Sequence, residues 1–284
     1  MAAQSEAVHL LLQRARTELT LPRQRAFAAV VGAAVADAAA VRCHWQYDAE
    51  ALRTALAGRE PLFAEEAQNP FYRVADGRNS CYGDQLRCVV ASLARTRGAF
   101  DGDDVAAALR ERMTAPDYEA STATRNERAA YRDDQRAAAP PLEGPWRHGT
   151  IQRFLDGAVD DADASADALL RAIPVAARAA VDGKGDDEVA AVADAAARVT
   201  QRSPVARSHA AAVAVAVARL VAGAEATPRA AVAAAAASPA VDAAARATLD
   251  DCLACGGEPS LDGAVAALRE QLGFDGKPAQ KMIA

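Results

Sequence analysis

Aromatic side chains are scarce in this chain of 284 residues: they make up 5% of it, although hydrophobic residues reach 51%. Alanine supplies much of that apolar count. A core built throughout of large side chains is therefore not expected. An Ala/Val core buries little area per residue and must gain its stability from close approach of backbones. Positive charge is also in deficit, with 32 Lys and Arg against 38 Asp and Glu, a net charge of −6 and a pI near 5.3. That balance excludes unaided binding to nucleic acid or to an anionic membrane, since both need basic patches that release counterions.

Cysteine is sparse and odd in number (Cys43, Cys81, Cys88, Cys252, Cys255). A disulfide scaffold is excluded, and a reducing compartment, the cytoplasm, fits. Nothing approaches the roughly 18 uninterrupted large apolar residues of a membrane span, since the Ala/Val runs at 210–218 and 230–237 are short and weakly hydrophobic. The first twenty residues carry one brief apolar run behind Glu6, which is not the pattern of a secretory signal.

What is present is helix. Pro22 stands where a first-turn proline belongs, and 23–40 continues with Gly32 as its only breaker. Gly32, Ala33 and Ala36 form a small-residue stripe suited to close packing. Ser203-Pro204, Thr227-Pro228 and Ser238-Pro239 each read as an N-cap followed by a first-turn proline, which predicts three successive helices. Asp186-Asp187-Glu188 predicts another start, with acids set against the positive helix end. Ser260 predicts a helix running to about Leu272. Val213, Val215 and Val217 alternate, but the residues between them are alanine, so a strand is not predicted. Residues 41–84 and 114–150 lack this regularity and hold both tryptophans. They predict long, aromatic-bearing loops gathered at one end of an all-α, single-domain bundle spanning 1–284.

Within those loops, 69–88 reads NPFYRVADGRNSCYGDQLRC. A helix starting near Asp84 places Asn79 and Ser80 just ahead of its first turn, an arrangement that serves a hard cation, a phosphate, or simply helix capping. Asp37 is the only acid between Arg25 and Asp48. An acid on so apolar a helix needs a partner or an opening to water; capping the N–H groups of a neighbouring segment is the plainer of its two readings, a catalytic or metal role the other. Cys252 and Cys255 have no second pair and no nearby His, so packing is expected of them rather than zinc. Gly183-Lys184-Gly185 reads as a turn. Of the four histidines, His44 has the most suggestive setting, beside Trp45 and Tyr47.

Five segments resemble, in order, those of the ADP-ribosylglycohydrolase family and its J-crystallin-like branch: GAAVADAAAVRCHWQYD (32–48), NPFYRVADGRNSCYGDQ (69–85), GPWRHGTIQRFL (144–155), ADALLRAIPVA (166–176) and VTQRSP (199–204). The resemblance implies a compact all-α fold. It also implies Mg2+-dependent cleavage of the glycosidic bond that joins ADP-ribose to an acceptor, with an ADP-ribosylated substrate or an ADP-ribose-like small molecule as partner. Active members draw metal ligands from an early Thr-Asp-Asp-Thr and a late Gly-Gly-Asp-Thr-Asp-Thr segment. Here Cys81-Tyr82-Gly83-Asp84-Gln85 matches the early one and keeps one acid, and Asp37 matches the Asp of a Gly-Asp motif in the first helix. On that basis Asp84 and Asp37 are the candidate catalytic residues and, with Ser80, the candidate metal ligands. Asn79, Ser80, Tyr82, Gly83, Gln85 and His44 are the candidate ligand-binding residues. The late segment has no counterpart; Gly256-Gly257-Glu258 echoes it without the following Asp-Thr-Asp. The expectation is a degenerate metal site, with closing helices absent beyond Ala284.

Overall fold

A computed structural model describes residues 2–46, 49–58, 68–129, 141–159 and 161–255. The expected helix at 260–272 and the Gly256-Gly257-Glu258 echo lie outside them. Among the described residues the chain forms twelve helices and one two-stranded parallel sheet. The helices are α1 (Ala2–Glu18), α2 (Leu21–Ala40), α3 (Ala49–Leu56), α4 (Cys81–Arg95), α5 (Gly102–Met113), α6 (Pro116–Ala129), α7 (Gly149–Leu155), α8 (Asp167–Val181), α9 (Asp186–Arg198), α10 (Pro204–Ala222), α11 (Pro228–Ala237) and α12 (Ala243–Cys255). The strands β1 (Tyr72–Arg73) and β2 (Leu142–Glu143) tie together the two loops that flank the site.

The punctuation acts largely as its chemistry dictates. Pro22 lies in the first turn of α2 behind Thr20. Thr227 caps α11, its hydroxyl accepting the Ala230 N–H at 3.2 Å, and α10 opens on Pro204. At the start of α9, Glu188 reaches back to the Gly185 N–H at 3.3 Å. Ser238-Pro239 departs from the pattern: Ser238 closes α11, and its hydroxyl is drawn to the Asp186 carboxylate at 2.6 Å. The next helix instead takes Asp242 as its cap, through the Ala245 N–H at 2.9 Å. Residues 114–150 are also more regular than expected, since α6 begins at Pro116, which is suited to a first helical position.

Helices α8, α9 and α10 pack on one another, α2 crosses α8 and α10, and α4 packs on α8 and α5. Two kinds of core result. The α8–α11 core is nearly all alanine, with Ala172, Ala176, Ala193, Ala210, Ala214 and Ala231 fully buried. The α4–α5 core holds the larger side chains Val89, Leu109, Met113, Tyr118, Ile151 and Phe154. Helix α10 is long and apolar enough by length and composition to cross a membrane, yet its alanines are shared with α8 and α9 as core. The small-residue stripe of α2 is not its packing face: Gly32 and Ala36 are exposed, and Ala26, Ala29 and Val30 meet the core instead. With small residues nearly all round α2, composition does not select the face. Cys252 is likewise exposed rather than packed.

Where backbones meet through alanine, no slack remains for added methylenes. Ala176→Leu on α8 is expected to lower stability by about 1–3 kcal/mol, read from the urea unfolding midpoint. An unchanged midpoint would show that the α8–α10 contact has room to spare.

Candidate functional site

The loop before α4 is fastened to α2 through Asp37. The Asp37 carboxylate accepts the Ser80 backbone N–H at 2.8 Å, the Asn79 amide at 3.0 Å and the Ser80 hydroxyl. Asn79 also donates to the Ala34 carbonyl at 2.7 Å. Ser80 is the N-cap of α4, its Oγ accepting the Tyr82 N–H at 3.1 Å. Gly83 makes the closeness possible: a Cβ there would stand 2.3 Å from Asp37 Oδ2 and 2.6 Å from Asn79 Nδ2. The positive end of α4 thus rests against a carboxylate, a favourable charge–dipole pairing. Asp37 satisfies the N–H groups of a neighbouring segment, the plainer of its two readings.

Asp84, in the first turn of α4, is 1% exposed. It pairs with Arg112 at 2.7 Å and more distantly with Arg87 at 3.5 Å, and it accepts the Tyr118 hydroxyl at 3.1 Å. Arg112 also holds Asp117 at 3.0 and 3.1 Å. Burial works against the Arg112 charge, but the Asp117 and Asp84 carboxylates outweigh it and raise the guanidinium above its ordinary value. The Asp84 carboxylate is thus already matched by a guanidinium. Asp84 and Asn79 line a cavity of about 1010 Å³ between α2, α4 and α5, whose walls are mostly Val and Ala, with Arg87, Arg95, Glu111 and Arg112 among them.

On the other side of α4 lies a polar network buried in the bundle. Gln85 donates to Asp167 and accepts from Arg171. Arg171 is 0% exposed and also reaches the Gln201 amide oxygen at 3.0 Å and the Ala196 carbonyl at 3.2 Å, which caps carbonyls near the end of α9. Asp167 further accepts His148 Nδ1 at 2.9 Å and the Ser165 hydroxyl at 3.1 Å. Burial disfavours the Asp167 charge, yet His148 and Arg171 hold its carboxyl well below the usual carboxylate range. His148, Asp167, Arg171 and Gln201 escaped the search for chemistry in the sequence. The signal was available in kind, because Asp167 and Arg171 are charges on a largely apolar helix, the same feature that singled out Asp37.

The third feature is aromatic. Trp45 stands edge-on to Trp146 at 5.4 Å and to Phe71 at 5.6 Å, and His44 lies 5.8 Å from Tyr82. Tyr82 meets His148 at 4.2 Å. Trp45 adopts φ 62°, a left-handed conformation that costs a non-glycine residue about 1–2 kcal/mol; the surrounding rings hold it there. Of the candidate ligand-binding residues, His44 and Tyr82 therefore sit together at the aromatic end. Asn79, Ser80 and Gly83 gather round Asp37, and Gln85 is enclosed in the polar network with no face left for a ligand. Asp84 points to the α2–α4–α5 cavity.

Among the described residues, no three His, Cys, Asp or Glu side chains gather so as to hold a metal ion. Asp84 has its oxygens taken by Arg112, Arg87 and Tyr118, and Asp37 has its own taken by Ser80 and Asn79. Two hard divalent cations need several carboxylate and carbonyl oxygens at once. The described residues do not fit a magnesium pair.

Two measurements follow from these contacts. Asp84→Asn leaves Arg112 without its buried counter-charge and is expected to destabilise the protein by about 3 kcal/mol, equally in EDTA and in magnesium chloride. Magnesium stabilising the wild type but not the variant would reinstate Asp84 as a ligand. His44 is lowered to about 4 by burial and by the like charge of His148. Its unfolded form, near 6.5, binds the proton more readily, so stability present above about pH 6.5 is lost as pH falls towards about 4. The urea midpoint should decline across that window and His44→Gln should flatten the decline; parallel curves would exclude His44 as its source.

Comparison with known proteins places this geometry in context. Residues 18–281 match the model of a family described as ADP-ribosylglycohydrolase. Two curated relatives from Tripedalia cystophora, Crystallin J1A and Crystallin J1B, are 33% and 34% identical over 135 residues, 47% of this chain. The matched stretch covers 38% of each relative's own length. No solved structure matches the chain. The five ordered segments, the all-α architecture and a family match over nearly the whole sequence agree: the chain belongs to the ADP-ribosylglycohydrolase family.

Proposed function

We propose that this chain is a J-crystallin-like member of the family in which hydrolysis is impaired, and that it binds an ADP-ribose-like small molecule at its aromatic end. The observation that carries the reading is the engagement of both candidate acids by protein partners. Asp84 is buried against Arg112 and Asp37 is saturated by the loop before α4. A carboxylate already neutralised by a guanidinium has little left to offer a divalent cation, so the reading derives no hydrolytic step through magnesium. The family match over 18–281 favours one domain, and the thiols of Cys81 and Cys88 favour a reducing, cytoplasmic setting.

The aromatic end offers what a nucleotide-like ligand uses. Rings of His44, Trp45 and Tyr82 are half-buried, and Phe71 is exposed, so bases have faces or edges to stack on. Arg125 lies over the Trp146 ring at 4.9 Å and adds positive charge beside it. The naming of both curated relatives as crystallins favours a second reading, a structural protein that needs only the stable fold.

Calorimetry with ADP-ribose decides between them. Binding is expected with the same affinity in EDTA and in magnesium, and Tyr82→Ala should weaken it about tenfold, ~1.4 kcal/mol. Release of free ADP-ribose from a modified protein should not rise above background. Magnesium-dependent turnover would replace this reading with that of an active hydrolase, and absence of any binding heat would leave the structural one.

A further inference from the structure

The cavity between α2, α4 and α5 is unused by the proposed binding of an ADP-ribose-like molecule. Its volume of about 1010 Å³ is enough for a small ligand. Val30, Val31, Ala34, Val35 and Ala38 of α2 supply one wall, and Leu86, Val90, Ala91 and Ala94 of α4 supply another. Val35, Ala91 and Ala94 are exposed, so the slot opens to water and the described residues leave its apolar surface uncovered. Alanine at four of these nine positions keeps it free of bulky side chains. Concave apolar surface with a few polar groups is where small ligands bind.

The charges on the lining are unequally matched. Arg112 already serves Asp84 and Asp117, and Arg95 holds Asp104 at 2.8 Å. The Arg87 side chain is 66% exposed, and its one ion pair among the described residues is a long contact of 3.5 Å to Asp84. Asp84 gives its nearer contacts to Arg112 and Tyr118. The Arg87 guanidinium therefore has donors to spare. Three arginines line the cavity against two acids, Asp84 and Glu111, so an anion is favoured at Arg87. A singly charged anion suits it best, because the two acids repel any further negative charge.

We propose that this cavity binds a single-chain carboxylate amphiphile, a medium- or long-chain fatty acid, with its tail between α2 and α4 and its head on Arg87. From Arg87 to Arg95, α4 runs about 12 Å, and Val90, Ala91 and Ala94 line that stretch. Such a wall suits an extended acyl chain. The inference does not depend on ADP-ribose binding.

Calorimetry of the full chain with octanoate, decanoate and dodecanoate, each below its micelle concentration, provides the test. One equivalent should bind, and each added methylene should tighten binding roughly two- to fourfold as it is buried. Decan-1-ol should bind about tenfold more weakly than decanoate. Arg87→Gln should remove that difference. Ala91→Trp, at an exposed position, should weaken both ligands about tenfold by filling the slot. Absence of binding overturns the proposal, as does an affinity that does not rise with chain length. Decanoate binding unchanged in Ala91→Trp overturns it too, placing the fatty acid elsewhere, as on the exposed Leu10, Leu11 and Leu12 of α1. A wild type that sediments as a dimer beside a monomeric Ala91→Trp variant would assign the cavity to a second copy of the chain instead.

Discussion

The carboxylate of Asp167 is the point on which the polar half of the structure turns. It receives Gln85 from α4, His148 from the loop before α7, and Ser165 from its own approach to α8. Through Gln85 it is joined to Arg171, and through Arg171 to Gln201 and the end of α9. A buried charge of this kind is tolerable only when its hydrogen-bonding capacity is met. Because the partners come from separate segments, satisfying it fixes their relative positions. The alanine core cannot do this alone, since small, unbranched side chains give neighbouring helices little that locks rotation or register.

Two ways of placing a charge on an apolar helix therefore coexist. Asp37 faces a loop and is matched by N–H groups, with Gly83 admitting the close approach. Asp84 faces α5 and is matched by a guanidinium. Neither has an oxygen pair to spare, and the family's metal chemistry requires spare oxygens. The early segment fits this account: it keeps one acid where the family's Thr-Asp-Asp-Thr has two, and an arginine from α5 neutralises the acid that is left.

The fold was largely legible in the residues. Proline and cap pairs placed α2, α10 and α11, and the acidic run placed α9, because those signals act within one turn of chain. Ser238-Pro239 misled since the Ser238 hydroxyl is taken by Asp186, a partner fifty-two residues away that local pattern cannot reveal. The packing face of α2 was illegible for a related reason: a helix of alanine and glycine carries too little contrast between its sides. In the candidate site, Asp37 and Asp84 were identifiable as unusual acids. What each was unusual for depended on Ser80, Asn79 and Arg112, which only folding brings near.

The same limit explains why the Asp167 network had no trace in the sequence search. Gln85 and Asp167 are eighty-two positions apart, on helices that only the α4–α8 packing brings together. The carboxylate that fastens Gln85 on α4 also fastens the ring of His148 in the loop before α7. One buried charge thus sets both the seat of α4 on α8 and the place of that loop, and local pattern in the sequence carries neither.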